Sequence, residues 1–316
     1  MNVGFEPSKQ QAVMQPGPGD IDRQLPIGEE IFLDHVGHFV RDREAASRAL
    51  LRAGFAPTPA SVAANPDGSL TGTGNVTAML GRGYIEVLFK TADTLLGQEL
   101  DAAIARHAGV HLAAFAVADA GKAHRRLAEA GFALRPLVEF ARPVETEHGR
   151  GAAAFTVARV EAGVMPEGRI QILTHRTEKA VWQPRWLGHP NGALGLASMV
   201  FAVADPDEAA QRFARFTDRP AGRSRCGQTI ALDRGRVELV AAEAFAAALP
   251  EIPIPSLPFA GAYGLVVNSL GAVETILRAA QISARRIDHS LVAIFPEGLG
   301  KGVWLFAEDS QVSLFK

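Results

Sequence analysis

The chain has 316 residues, 47% hydrophobic and 21% charged, a balance that supports a sizeable core and excludes general disorder. Lys and Arg (32) nearly cancel Asp and Glu (34), leaving a net charge of −2, so no bulk positive field is present to hold nucleic acid or an anionic membrane. The single Cys226 excludes an internal disulfide framework and a cysteine-rich zinc site and fits a reducing compartment.

Residues 1–30 carry Gln10, Gln11, Gln15, Pro16, Gly17, Pro18 and Gly19 and no apolar run. They read as a flexible leader and not as a signal peptide. No later stretch approaches the roughly 20 apolar residues of a membrane span, and a cytoplasmic protein is expected.

Residues 31–42 (IFLDHVGHFVRD) predict a strand closed by Asp42 as a helix N-cap. Ala46, Ala49, Leu50 and Ala53 then lie on one helical side, and Gly54 ends the pattern. The same spacing returns from 109–119 (GVHLAAFAVAD) to Ala130-Gly131-Phe132, 77 residues on. A third copy starts at 196–205 with a helix carrying Ala209, Phe213 and Phe216, and a fourth at 263–267 with Val273, Ile276, Leu277 and Ala280. Each helix precedes two or three short strands, the last being 84–89, 169–174, 236–241 and 303–308.

Four units of strand, helix and further strands predict an α+β protein. One unit cannot bury both faces of a small sheet, so units pair into two domains. These are 31–180 (modules 31–95 and 109–178) and 190–316 (modules 195–245 and 260–316). The linker 182–194, rich in Pro, Gly and Trp, reads as structured, and 250–258 separates the last two units. Gly72-Thr73-Gly74-Asn75 lacks the following Lys-Ser or Lys-Thr of a phosphate loop and reads as a tight turn bordering a pocket.

These units, with His35 in a first strand and Glu86 in its last, resemble the vicinal oxygen chelate superfamily. Segments 33–42, 72–80, 83–89 and 182–193 resemble its glyoxalase-like-domain branch, alongside glyoxalases, extradiol dioxygenases and bleomycin-resistance proteins. The resemblance implies four βαβββ modules in two tandem glyoxalase-like domains. It also implies a divalent ion (Fe, Mn, Ni, Co or Zn) in a cup, held by first-strand and last-strand residues.

Strand alternation puts His35, Gly37 and Phe39 on the cup face and Asp34, Val36, His38 and Val40 on the other. Glu86 aligns with Gln171, Glu238 and Leu305. His35, Glu86 and Gln171 are thus the candidate metal ligands. Leu112 occupies the position of a fourth, and His111 joins the set only if a bulge rotates it. Ser198 and Leu305 replace two ligand positions in the second domain, which is expected to be structural. His175 and His189 could reach a cleft for proton transfer, although His189 also reads as part of a turn; Glu86 is the third catalytic candidate. His38 is expected beneath the first helix, and His107, His124 and His148 in solvent. Trp182 and Trp186 could wall a pocket or belong to the core.

The expected function is a metal-dependent isomerase or lyase acting on an oxyanion or enediolate of a small oxygenated substrate. The alternatives are a metal-free binding protein of the bleomycin-resistance type and an extradiol-type dioxygenase. The expected partner is a small-molecule substrate, with no nucleic acid or membrane, for a monomer or homodimer.

Overall fold

In the computed structural model residues 23–64 and 69–315 are described. The first unit comprises β1 (Ile31–Val40), α1 (Arg43–Arg52), β2 (Ser61–Ala64), β3 (Leu70–Met79) and β4 (Tyr84–Lys90). Helix α2 (Leu95–Arg106) leads to β5 (Gly109–Val117), α3 (Ala120–Glu129), β6 (Val138–Thr146), β7 (Gly149–Arg159) and β8 (Arg169–His175). A short helix, α4 (Glu178–Val181), precedes β9 (Ala193–Val203), α5 (Pro206–Thr217), β10 (Ala221–Ser224), β11 (Gly227–Ala231) and β12 (Arg236–Ala241). Helix α6 (Ala242–Ala248) then joins the fourth unit: β13 (Phe259–Val267), α7 (Leu270–Ala279), β14 (Ala284–Ile287), β15 (Ser290–Ile294) and β16 (Val303–Ala307). Helices α2, α4 and α6 fall between units, where a search for repeats finds nothing to match.

The helix of each unit starts on a short polar cap. Asp42, Asp119 and Ser269 each accept a hydrogen bond from the backbone N–H three residues on, and Asp205 accepts from Asp207 and Glu208. Such a bond satisfies one of the helix's unpaired donors. Gly54 ends α1 at φ +80, and a Cβ there would meet Asn191 Cβ at 2.9 Å. The linker is fixed at this point. Asn191 is fully buried, donates its side-chain amide to the Ala53 carbonyl and its backbone N–H to the Gly54 carbonyl.

The units pair into two mixed eight-stranded sheets, β2-β3-β4-β1-β5-β8-β7-β6 and β10-β11-β12-β9-β13-β16-β15-β14. In each, the first and last strands of a unit run parallel, and the two first strands, β1 with β5 and β9 with β13, join antiparallel at the centre. The register equates Glu86, Gln171, Glu238 and Leu305, which pair with Gly37, Ala114, Val200 and Gly264.

Simple alternation fails at two bulges. The β1–β5 pairing skips Asp34 and then His111, and β9–β13 skips Ala197 and Gly261 at the equivalent positions. Gly72–Asn75 is not a turn but part of β3, paired with β4 over Thr73–Met79. Its polar residues line a sheet face, which is why the segment lacks a strand's usual apolar alternation.

The convex faces of both sheets share one core with the unit helices, including Leu50, Phe115, Leu127, Phe201, Phe213, Phe216, Leu277 and Trp304. Backbone bridges fasten the sheets: Leu33 donates to the Arg234 carbonyl and Arg82 to the Leu194 carbonyl. His38 packs against the second sheet and not simply beneath α1. Its Nδ1–H donates to the Leu299 carbonyl (2.9 Å), which leaves Nε2 to accept from Tyr263 Oη (2.9 Å), and Tyr263 accepts from Trp304 Nε1 (2.6 Å). His107 and His111 are also buried, with ring centroids 4.2 Å apart and His107 edge-on to Phe259. His107 is therefore not solvated as expected, because α2 ends against the second sheet.

Of the expected leader, residues 1–22 lie outside the described residues. Residues 23–30 are tied down: Arg23 pairs with Glu30 (2.7 Å), and buried Gln24 donates to the Gly81 carbonyl. No described helix is long and apolar enough to cross a membrane.

Burial is the main cause that lowers His38 to about 4, His107 to about 3 and His111 to about 4. These rings stay neutral in the fold, whereas the unfolded chain protonates near pH 6.5. Their contribution to stability is complete above about pH 6.5 and is lost as pH falls toward about 4. Urea unfolding between pH 7.5 and 4.5 is expected to show net proton uptake of up to three, and His38→Met to remove about one of them. A midpoint independent of pH over that range would contradict this assignment.

Candidate functional site

The concave face of the first sheet forms a cup with a cavity of about 510 Å³, within the range of small-molecule sites. The sheet curls until its edges meet, where Ser61 Oγ donates to the Pro143 carbonyl of β6 (3.1 Å). Trp186 and Gln183 of the linker wall the cavity. Trp182 is buried behind them against His175, at 4.6 Å between ring centroids.

On the floor, His35 and Glu86 face each other, with Nε2 and Oε2 3.6 Å apart. Asn75 Nδ2 donates to Glu86 Oε1 (2.6 Å). Behind His35 lies Asp34, fully buried; its Oδ2 is 2.7 Å from His35 Nδ1 and its Oδ1 2.9 Å from His175 Nε2. Alternation assigns Asp34 to the opposite face, but the bulge between Leu33 and His35 frees its carboxylate to reach both rings. Gly83 permits the close fit: its φ is +76, and a Cβ there would come within 2.3 Å of the Asp34 carbonyl oxygen.

Burial pushes the Asp34 carboxyl up, but the charge and hydrogen bond of His175, and then those of His35, hold it well below the usual carboxylate range. An ionised Asp34 can only accept, so both histidines donate to it. His35 thereby presents Nε2 to the cavity. Its ring stacks on Tyr84 at 4.4 Å. Burial and then the carboxylates of Asp34 and Glu86 raise the Tyr84 phenol well above its ordinary value, so it stays neutral.

Three half-buried arginines line the same cup, Arg142 from β6, Arg159 from β7 and Arg169 from β8. Arg159 Nε donates to Gln171 Oε1 (3.1 Å), and Arg169 lies 3.5 Å from Glu99. Burial, followed by repulsion from Arg169 and Arg135, lowers Arg159 to about 10, still charged at neutral pH. Phe140, Phe155, Leu88, Leu112 and Leu173 supply the apolar wall.

The expected ligand set is only partly assembled. His35, Glu86 and Gln171 all line the cup, but the Gln171 oxygen already accepts from Arg159. His111 does not line the cup. Its bulge turns it toward Phe39, and its Nε2–H is held by the His107 carbonyl at 2.7 Å. Among the described residues no three His, Cys, Asp or Glu side chains converge to hold a metal. Two converging donors fall short of the three protein ligands of a catalytic metal site, and the surrounding guanidinium groups oppose another cation. The donor set does not fit a resident divalent ion.

His175 sits beneath the floor as a support for Asp34 and does not face the cavity. His189 is structural: Nδ1 accepts from the Ala56 N–H (3.0 Å) and Nε2–H donates to the Met79 carbonyl (2.7 Å), so both ring nitrogens are occupied by backbone. Sequence reasoning missed Asp34, Asn75, Tyr84 and the three arginines. Asn75 was visible only as part of a glycine-rich motif, and the arginines come from strands remote in sequence.

Among the described residues, the concave face of the second sheet is filled and forms no comparable cup. Phe245 and Leu249, from and just beyond α6, pack with Ile252 and the C-terminal Phe315 against its concave face. Glu238 is held by Arg236 (2.8 Å) and by Ser313, so this ligand-position carboxylate is part of the plug.

Four βαβββ modules in two back-to-back sheets are the architecture of the vicinal oxygen chelate superfamily. A profile of the glyoxalase-like domain matches residues 33–217, more than half of the chain, and the chain belongs to that family. Solved structures share the fold at low identity. A mutant 4-hydroxymandelate synthase from Streptomyces coelicolor is 15% identical at a TM-score of 0.55, covering 88% of this chain and 92% of that one. A hypothetical protein from Staphylococcus aureus is 10% identical at 0.59, covering 87% and 98%. A fusion of a xylose isomerase-like TIM barrel with 4-hydroxyphenylpyruvate dioxygenase is 11% identical at 0.51, covering 92% of this chain and 51% of that one. No curated protein sequence matches the chain.

Replacing Asp34 by Asn leaves two buried imidazoles without their shared anion. Asp34→Asn is expected to lower stability by about 3 kcal/mol and to release the His35 ring orientation. Denaturant unfolding, together with loss of the downfield imidazole N–H signals in proton NMR, checks both effects.

Proposed function

We propose that the first sheet's cup is the active site of a glyoxalase-fold enzyme of the isomerase or lyase type, moving a proton on a small oxygenated acid or ketone. The observation that carries this reading is the buried line Glu86–His35–Asp34–His175, which opens on a cavity at one end only. A carboxylate behind an imidazole fixes its tautomer, so the outer nitrogen is oriented as a general base.

His35 Nε2 takes a proton from a carbon next to a carbonyl or carboxylate group. The negative charge then moves onto the substrate oxygen, where the field of Arg159 and Arg169 stabilises it. Glu86 is the second proton carrier, held by Asn75. Return of the proton to a neighbouring carbon completes an isomerisation; loss of a leaving group from that carbon completes an elimination. The burial of the floor residues keeps competing water away from the base.

No step is routed through a metal, because the donor set does not fit one. A dioxygenase reading, raised by the name of one fold neighbour, calls for a second imidazole beside His35 and Glu86, and Leu112 stands at that position. The remaining alternative, a binding protein without chemistry, is disfavoured by an oriented base at the floor, which ligand retention alone does not require. One chain supplies the whole cup, which supports a monomer or a homodimer with one site per chain. The free thiol of Cys226 supports a cytoplasmic location.

The test is deuterium incorporation from D2O into a panel of 2-oxo acids, 2-hydroxy acids and matching ketones, followed by proton NMR. Exchange is expected with at least one member, and His35→Gln is expected to slow it by about 100-fold or more. Dialysis against EDTA is expected to leave the rate unchanged. Loss on chelation with recovery on adding Mn, Fe, Co, Ni or Zn would instead support the metal-dependent reading.

A further inference from the structure

Among the described residues, the cup holds a guanidinium that protein groups answer only in part. Arg142 reaches across from the edge strand β6, its side chain only 12% exposed. One terminal nitrogen, NH2, lies 3.8 Å from Glu86 Oε1, beyond hydrogen-bond length. The other, NH1, is buried with no hydrogen-bond partner. A desolvated guanidinium donor left unpaired is costly, and this one belongs to a side chain that lines the cavity.

The rest of the cup adds to the imbalance. Arg159 and Arg169 line it with Arg142, whereas among the described residues Glu86 is the sole carboxylate on its floor; at the mouth, exposed Arg150 and Glu145 offset each other. Glu99 sits behind Arg169 and is also engaged by Arg135, so it does not neutralise Arg142. The Arg142 guanidinium also lies 5.7 Å from the centre of the Phe140 ring, which stacks on Phe155 at 5.1 Å. A charged anchor therefore sits at the head of an apolar, aromatic wall.

We infer that Arg142 is the anchor for a substrate carboxylate, and that the cup selects small organic acids whose apolar or aromatic body lies along Phe140 and Phe155. A carboxylate matches the planar donor fork of a guanidinium and converts its orphaned donor into a charge-assisted hydrogen bond. The amphipathic form of the cavity excludes a bare inorganic anion as the preferred occupant, since the apolar wall would stay unfilled. Burial and then the neighbouring Arg169 and Arg135, with Arg142 behind them, weaken the hold of Arg159 on its proton, a sign of crowded positive charge that an anion relieves. This assignment rests on the cup being the working site, and it narrows the substrates proposed above from acids and ketones to acids.

The test is direct binding, measured by tryptophan fluorescence, since Trp186 walls the cavity. Calorimetry on the full chain provides the independent check. The probes are benzoate, phenylacetate and 3-phenylpropionate, their uncharged amides, phenyl phosphate and sodium acetate. At least one aryl carboxylate is expected to bind with Kd below about 10 mM, and about tenfold or more tighter than its amide and than acetate. Arg142→Gln is expected to abolish that preference, Arg142→Lys to retain part of it, and Glu86→Gln to strengthen carboxylate binding by removing the opposing charge. Circular dichroism of the variants verifies their folding.

Equal binding of acid and amide, no binding of any aryl carboxylate, or a preference undisturbed in folded Arg142→Gln would each overturn the assignment. Tighter binding of phenyl phosphate than of every carboxylate would also overturn it. His35→Gln separates the two readings: it is expected to keep carboxylate binding while losing exchange. Binding that follows Arg142 without any exchange in wild type would sink the proton-transfer reading and leave the anchor intact.

Discussion

The antiparallel pairing of β1 with β5 is the constraint on which the molecule turns. It joins the first two modules into one sheet and so creates a cup that neither could form alone. Its two bulges also decide where the polar side chains go. At the first, Asp34 escapes the alternation of β1 and settles between His35 and His175. At the second, His111 is carried away from the floor and onto Phe39 and His107. The same irregularities in the second sheet fall on Ala197 and Gly261, so an identical backbone device orients a buried carboxylate in one half and nothing polar in the other.

This division of labour extends to the two concave faces. One is open, lined by arginines and closed at its rim by the linker and β6. The other is filled by Phe245, Leu249, Ile252 and Phe315. Filling it removes apolar surface from water and stabilises the scaffold that supports the open cup. The shared core between the sheets makes the two halves one packed body, with His38, Tyr263 and Trp304 as a hydrogen-bonded chain across the join. Buried polar chains of this kind specify one alignment of the sheets, because any displacement would strand their donors.

The charge pattern of the cup follows from the same architecture. An imidazole and a carboxylate resemble half of a metal site, and the superfamily resemblance directs attention there. Yet the second module contributes Leu112 and Gln171 where ligands would stand, and brings arginines from β6, β7 and β8. Positive charge fixed by the protein takes the place that a bound cation would occupy in stabilising an anion. In the proposed reaction, substrate recognition and oxyanion stabilisation come from one set of side chains.

Much of the fold was legible in the sequence. The recurring Asp cap and Ala-Gly-Phe closure marked the modules, and the alternation of β1 and the alignment of the last strands placed His35 and Glu86 on one face. These are local signals, set by helix capping, left-handed glycine and the two-residue period of a strand. The glycine-rich GTGN segment misled because a strand lined with polar residues looks like a turn when its buried partners are unknown. Asp34, His111 and Arg142 could not be placed from sequence. A bulge depends on the register between strands far apart in the chain, and the reach of an arginine depends on how tightly the sheet curls. What the sequence determined by itself was the module, its repetition and the residue types available for chemistry, because those rest on near-neighbour geometry. Only the tertiary structure decided which residues meet, because burial, tautomer and charge balance are properties of strands brought together by folding.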